Sequence, residues 1–342
     1  MNDQTDFIEV FDARARRRSE RRDLFKAVLG TAAVGVGAFA LASPAAAQTV
    51  TDSDILNFAL NLEYLEAQFY IYAYTGAGLP AAQQTGTGTQ GAVVVTGATA
   101  QPRKVDFSGE PLIGQYAREI AADEAAHVAF LRTALGTATV AQPALNISGD
   151  ANGAFTAAAR AAGIATVDGT ATGAQSNTGT FDPYSSPLAF LLGAFIFEDV
   201  GVTAYKGASP LITNNIFLDA AAGILATEAF HAGIIRGSLY ARGVAAPALR
   251  TAADKISDAR DGIDGTSDDD QGISPVTVSL NTASGANSGT ASNFVPTDGN
   301  GIVYSRSTGQ VLNIVYLNRN TVTMGGFFPA GTNGNIRSSA AN

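Results

Sequence analysis

Two short polar patterns, each occurring twice, constrain this chain more than any other feature of its sequence. In one, a tyrosine follows a glutamate after seven residues; in the other, a histidine follows a glutamate after three. In chain order these pairs are Glu63 and Tyr70, Glu124 and His127, Glu198 and Tyr205, and Glu228 and His231. Because the two patterns alternate, we interpret this part of the chain as two copies of one helix pair.

Each pattern lies in a segment whose apolar residues recur at helical spacing. We predict helices over residues 52–74, 110–135, 187–205 and 211–242. Seven residues make almost two turns, so each tyrosine lies on the same helix face as its glutamate. A glutamate and a histidine three positions apart project side by side and can hold one metal ion. The predicted fold is therefore all-α, a four-helix bundle with long connections.

Such a bundle brings four glutamates and two histidines to its axis. These predicted metal ligands are Glu63, Glu124, His127, Glu198, Glu228 and His231. Carboxylate proteins that hold two iron or two manganese ions use this set of residues. The surrounding sequence is apolar, where an unpaired carboxylate is costly and metal coordination removes the cost. Since imidazole and carboxylate ligands suit Fe or Mn, we predict two Fe or Mn ions per chain.

Two assignments within this site have alternatives. Glu66 lies three residues after Glu63 and near the same helix face, but the repeat favours Glu63 because Gly201 occupies the position that matches Glu66. Tyr70 and Tyr205 are predicted catalytic residues that bind a ligating carboxylate or take part in redox chemistry. The alternative is that both tyrosines only pack within the bundle.

Other carboxylates near these helices are predicted to lie outside the site. Asp123 and Asp199 adjoin predicted ligands, but one residue along a helix turns the side chain by about 100°. The acidic stretch over residues 258–270 lacks the alternating aspartates of an EF-hand loop. We therefore predict a solvated loop there, with adventitious calcium binding as the alternative.

The ends of the chain differ from the bundle in composition. Arg21 and Arg22 precede a moderately apolar run and then Ala45-Ala46-Ala47, the pattern of a cleaved twin-arginine export signal. The run has about 15 residues, whereas a membrane span needs about 20, so no stable membrane span is predicted. We predict a signal peptide at 1–47, the bundle at 48–245, and a strand-and-loop extension packed on the bundle at 246–342. The β-leaning pieces of the extension are 275–280 and 311–316.

Composition excludes several classes of site and partner. The sequence contains no cysteine, which excludes disulfides, zinc-thiolate sites, iron–sulfur clusters and a cysteine nucleophile. The net charge is −9, from 21 Lys and Arg against 30 Asp and Glu, which argues against nucleic acid as a partner. We expect a small oxidant, peroxide or oxygen, or Fe(II) as the partner, in a periplasmic or extracellular protein. Assembly into an oligomer is compatible with this sequence.

The chain resembles the ferritin-like superfamily, and more narrowly the exported ferritin-like proteins related to plant desiccation-related proteins. The resemblance lies in the stretches 57–66 and 123–127, and in 311–316 with 325–329. It implies a ferritin-like bundle in which the first-helix glutamate and the two Glu-x-x-His motifs bind metal. The long loops and the tail of nearly 100 residues depart from storage ferritins, so we do not expect an iron-storing shell.

These observations predict an exported dinuclear-metal carboxylate protein. We expect an oxidoreductase acting on peroxide, oxygen or Fe(II), of the peroxidase, catalase or ferroxidase type. Without cysteine there is no built-in thiolate-bound iron to deliver electrons, which favours chemistry that needs no electron partner. The alternative is a stress- or desiccation-related structural or surface-interaction protein that keeps the bundle.

Overall fold

The structure, a computed structural model, describes residues 50–97, 103–165 and 179–342. The predicted signal peptide lies outside these residues. Within them the chain is mostly helical. The helices are α1 (Asp52–Thr75), α2 (Pro111–Leu135), α3 (Ala154–Ala161), α4 (Pro187–Phe195), α5 (Glu198–Ala208), α6 (Asn215–Ala245), α7 (Ala248–Asp264) and α8 (Thr308–Tyr316). The all-α prediction is confirmed.

Four helical segments, α1, α2, α4 with α5, and α6, form the predicted bundle. α1 packs along α2, and α5 packs along α6. A capping box between Thr51 and Asp54 starts α1, and Gly76, with φ of 81°, ends it. α1 is buried over most of its length because neighbouring segments cover it on all sides. This burial places its glutamates in the interior.

The third bundle helix is interrupted, although the sequence predicts one helix over 187–205. α4 ends at Phe195 and α5 begins at Glu198. The amide of Val200 bonds to the carbonyl of Phe197 at 2.8 Å, one residue closer than in an α-helix. The interruption therefore lies immediately before a predicted metal ligand.

The strands are short and lie outside the bundle. β1 (Val93–Val94) pairs in parallel with β2 (Leu145–Asn146). This pairing joins Val93 and Val94 to a segment that follows α2. β3 (Val276–Thr282) and β4 (Gly285–Ala291) form an exposed antiparallel hairpin that includes residues 276–280 of the predicted strand piece 275–280.

The extension contains more helix than its composition indicates. The prediction of β structure at 311–316 is wrong. These residues belong to α8, which starts at a capping box between Ser307 and Gln310. The prediction of a solvated acidic loop is also wrong in part. α7 continues to Asp264, and both Asp264 and Asp270 are buried. Arg306 contacts both carboxylates and Arg260 contacts Asp270, so two guanidinium groups balance the two carboxylates within the fold.

Two helical stretches among the described residues pass a length and composition test for a membrane span, Pro187–Leu211 and Asn215–Ala245. The first is 94% buried over its apolar window, and the second is 33% buried. Buried core helices pass the same test, so two such helices are weak support for a membrane protein. Both stretches also carry predicted metal ligands into the bundle interior.

Candidate metal centre

All six predicted ligands meet in the middle of the bundle, in two sets that share one residue. The first set is Glu63, Glu124, His127 and Glu228, and the second is Glu124, Glu198 and His231. Within each set, one ligand atom from every residue lies within 4.8 Å of the others. Glu66 belongs to neither set, so the structure places Glu63 in the position that the repeat favours. Glu124 is the residue that the two sets share.

The first set is organised around Nδ1 of His127. This atom lies 3.2 Å from Oε2 of Glu63, 3.5 Å from Oε2 of Glu124 and 3.6 Å from Oε1 of Glu228. The four side chains come from α1, α2 and α6. A cation among them would be held by three helices at once.

The second set is organised around Nδ1 of His231. This atom lies 3.0 Å from Oε1 of Glu124 and 3.7 Å from Oε2 of Glu198. The ring centroids of His231 and His127 are 6.3 Å apart. The two sets are thus adjacent.

The polar atoms of the centre are better placed to coordinate metal ions than to form hydrogen bonds with one another. Both carboxylate oxygens of Glu228 and Oε2 of Glu198 are buried and have no hydrogen-bond partner within the part of the chain described. Leaving a buried polar atom without a partner costs about 1–3 kcal/mol. Oxygen- and nitrogen-coordinated cations would satisfy all of these atoms, and this donor set suits Fe or Mn.

Without metal, this cluster retains protons. Burial raises the pKa of Glu63 to about 7 and that of Glu198 to about 8, and the charge of Glu124 adds to both shifts. Burial lowers the pKa values of the two histidines, but the surrounding carboxylates outweigh it and raise them to about 11 for His127 and about 9 for His231. Metal ions would have to displace these protons, so metal binding here would be coupled to proton release.

The two predicted catalytic tyrosines hold carboxylates across the bundle. The hydroxyl of Tyr70 on α1 donates to Glu198 on α5, and the hydroxyl of Tyr205 on α5 donates to Glu63 on α1. Burial raises the pKa of both phenols well above 10, and the nearby carboxylates raise it further. Each tyrosine therefore remains a proton donor to its carboxylate. The sequence places each tyrosine beside its own glutamate, whereas the hydrogen bonds run to the glutamate of the other helix.

Asp123, which the sequence analysis excluded, contacts a predicted ligand. Its Oδ2 lies 3.1 Å from Nε2 of His231, and its side chain is 43% exposed. A carboxylate on the outer nitrogen of a metal-binding histidine fixes the ring orientation and its tautomer. Asp123 and Glu124 are about 100° apart around the axis of α2. The Asp123 side chain therefore points away from the ligand face of α2 and contacts His231 on α6. Helical geometry on α2 alone could not show this contact.

Glu66 lies beside the centre at the edge of a narrow apolar cavity. The cavity has a volume of about 20 Å³, enough for one water-sized molecule. Leu62, Val200 and Gly201 are among its other lining residues. A Cβ atom on Gly201 would lie 2.3 Å from Oε2 of Glu228, so only glycine leaves room for that carboxylate.

Comparisons with known proteins agree with this architecture. The family described as "Ferritin-like domain" matches residues 51–241. The ferritin-like catalase Nec2 of Nesocodon mauritianus is 29% identical over 294 residues, which cover 83% of this chain and 84% of that protein. The desiccation-related protein PCC13-62 of Craterostigma plantagineum is 28% identical over 263 residues, 75% of each chain. No solved structure matches this chain significantly.

Proposed function

The chain belongs to the ferritin-like domain family, and on that premise we propose that it is a dinuclear-metal oxidoreductase that disproportionates hydrogen peroxide. The observation that carries the proposal is Glu124, whose buried carboxylate is shared by two adjacent ligand sets. One carboxylate so placed can hold two ions close enough to act on one small molecule. The relative named a ferritin-like catalase supports the same substrate class.

Disproportionation balances without any further reactant. Two molecules of hydrogen peroxide give two of water and one of oxygen: one peroxide accepts two electrons and two protons, and the other supplies them. Two bound Fe or Mn ions would supply the two-electron couple between the two half-reactions. The absence of cysteine is consistent with this chemistry, because no thiol is available to deliver electrons from elsewhere.

The residues of the chain have distinct tasks in this proposal. Tyr70 and Tyr205 orient the carboxylates of Glu198 and Glu63, and Asp123 orients the His231 ring. The buried aromatic and aliphatic side chains around the centre exclude bulk water. The cavity beside Glu66 has room for one water molecule next to the centre.

Oxygen evolution from hydrogen peroxide tests the proposal directly. Metal-free protein is loaded with Mn(II) or with Fe(II) under anaerobic conditions, and oxygen release is followed with an electrode. Glu124→Gln should abolish turnover, whereas Glu119→Gln, an exposed glutamate on the same helix, should leave it intact. Loaded wild-type protein that releases no oxygen overturns the proposal. Rapid Fe(II) oxidation would then indicate a ferroxidase, and metal binding without either reaction would favour the structural alternative.

We propose in addition that the protein is exported by the twin-arginine route to the periplasm or the extracellular space. Arg21 and Arg22 before the apolar run, and the alanines at 45–47, support this proposal. That route transports folded proteins, which suits a chain whose proposed metal centre is buried within the bundle.

A further inference from the structure

A side chain from the C-terminal extension holds the helix break that precedes Glu198. Nη1 of Arg260, on α7, donates to the carbonyls of Phe195 and Ile196, the latter at 3.3 Å. The break removes helical hydrogen bonds at this point, and a buried carbonyl without a donor is costly. Arg260 replaces those donors two residues before the predicted ligand.

The residue directly after Glu198 is held by the same guanidinium and by one more. Oδ2 of Asp199 accepts hydrogen bonds from Nη2 of Arg260 at 3.1 Å and from Nη1 of Arg236 at 2.8 Å. The guanidinium carbons of Arg260 and Arg236 also lie 4.9 Å and 5.6 Å from the centroid of the Phe195 ring. The turn that carries Glu198 is therefore fixed on both sides of the ligand.

The matching turn in the first half of the repeat is built differently. Arg132 occupies the position of Arg236, eight residues after the Glu-x-x-His glutamate, and Tyr64 occupies the position of Asp199. Nη1 of Arg132 donates to the Tyr64 hydroxyl at 2.5 Å. α1 continues without a break through this region, so its backbone needs no added donor. Arg260 thus serves only the half of the centre that contains the interrupted helix.

Arg260 is itself oriented by the extension. Its Nη2 lies 2.7 Å from Oδ1 of Asp270, and its Nε lies 2.5 Å from Oδ2. Ser257 donates to the same carboxylate at 3.0 Å, and Arg306 contacts it at 3.2 Å. Arg260 and Asp270 are both buried. Asp270 consequently holds Nε and Nη2 of the guanidinium, and this orientation directs Nη1 toward the break.

We propose that Arg260 is a positioning residue for Glu198, and that residues 246–342 complete the His231 half of the metal centre through it. This inference rests on the proposed function in that it assumes metal binding. The planar fork of arginine serves the two carbonyls and two carboxylates at once, which a lysine ammonium cannot do. Without the Arg260 guanidinium, the first turn of α5 is no longer held, and Glu198 moves away from His231. The set around His127 keeps its contacts.

Metal affinity provides the first test. Arg260→Lys and Arg260→Gln are compared with wild type by equilibrium dialysis against Mn(II). One of the two ions should bind at least about tenfold more weakly, as is usual when the partner of a ligand is lost, and the other should bind as in wild type. Arg103→Lys is the matched control, because it weakens another buried Arg–Asp contact, with Asp182, away from the centre.

Amide hydrogen exchange on the metal-free protein provides a second test that needs no ion. Exchange over residues 195–201 should be faster in both Arg260 variants and unchanged in Arg103→Lys. Arg260→Lys keeps the positive charge beside two buried aspartates, so it decides the matter if Arg260→Gln does not fold.

Three outcomes are distinguishable. Unchanged exchange over residues 195–201 overturns the positioning role. Equal weakening of both ions in the Arg260 variants also overturns it, because it shows general destabilisation. If wild-type protein binds no Mn(II), the proposed function fails, and the exchange measurement still decides whether Arg260 holds the α5 turn.

Discussion

Tyr70 and Glu198 are 128 residues apart in sequence, yet the Tyr70 hydroxyl donates a hydrogen bond to the Glu198 carboxylate in the bundle interior. Its counterpart, from Tyr205 to Glu63, runs in the opposite direction between the same two helices. Each ligand set therefore includes one carboxylate held by a phenol from the other half of the repeat. These crossed hydrogen bonds tie the geometry of the two sets together.

Removing one phenol should weaken one set more than the other. Tyr70→Phe frees one oxygen of Glu198 and should lower the affinity of the His231 set about tenfold, whereas Tyr205→Phe should act on the His127 set. Each variant should also cost the metal-free protein about 1–3 kcal/mol, because a buried carboxylate oxygen loses its donor. Metal titration and denaturant unfolding measure the two effects. Wild-type affinities in both variants would reduce the tyrosines to packing residues.

The shared carboxylate makes the ligands unequal in their effect on metal content. Anaerobic titration with Fe(II) or Mn(II) should saturate near two ions per chain. Glu124→Gln should lose both ions because Glu124 belongs to both sets, whereas His127→Ala and Glu198→Ala should each lose at least one. Metal analysis of the folded variants checks this order. Retention of one tight ion in Glu124→Gln would contradict a shared ligand.

Glu63 and Glu66 should differ sharply despite lying three residues apart. Glu63 contacts His127 at 3.2 Å, whereas Glu66 lies outside both ligand sets and borders the small cavity. Glu63→Gln should lose the ion of the His127 set, so that no metal pair forms, and Glu66→Gln should leave both ions bound. The same titrations compare the two variants, each being the control for the other. The reverse result would require α1 to be rotated by about 60°.

The metal-free protein should lose stability as the pH rises from about 5 to 9. Glu63 and Glu198 have folded pKa values near 7 and 8 against an ordinary 4.5, and His127 and His231 have values near 11 and 9 against 6.5. The folded state thus binds more protons than the unfolded state across this range, so its stability falls with pH. Glu124, whose pKa is lowered to about 2, contributes only below about pH 4.5.

Thermal unfolding at several pH values, with chelator and with Mn(II), measures this dependence. The metal-free Tm should fall between pH 5.5 and 9, and the rise in Tm on adding Mn(II) should grow over the same range, because binding releases protons. The double variant Glu63→Gln with Glu198→Gln should show a flatter metal-free profile. A metal-free Tm that rises with pH would contradict the protonated cluster.

Export depends on a part of the chain outside the described residues. Replacing both Arg21 and Arg22 by lysine should retain the unprocessed precursor in the cytoplasm. Fractionation with immunoblotting follows the precursor, and N-terminal sequencing of the exported wild type should find a start near Gln48. Export of the double-lysine variant, or a start far from Gln48, would contradict the signal prediction.

The sequence alone determines the local features of this protein. Helical spacing puts Glu124 beside His127 and Glu228 beside His231, because three residues make nearly one turn whatever surrounds the helix. The repeat of that pattern is enough to predict the bundle and the six residues that meet at its centre. It also favours Glu63 over Glu66, and in the structure Glu63 belongs to a ligand set whereas Glu66 belongs to neither set.

The tertiary structure decides what depends on contacts between distant segments. The crossing of Tyr70 to Glu198, the approach of Asp123 to His231 and the break held by Arg260 all join residues more than 60 positions apart. Helical periodicity describes one helix face, so it does not specify which other helix that face meets. The acidic stretch shows the same limit. Its composition predicts a solvated loop, but Asp264 and Asp270 are buried because Arg306 and Arg260 contact their carboxylates.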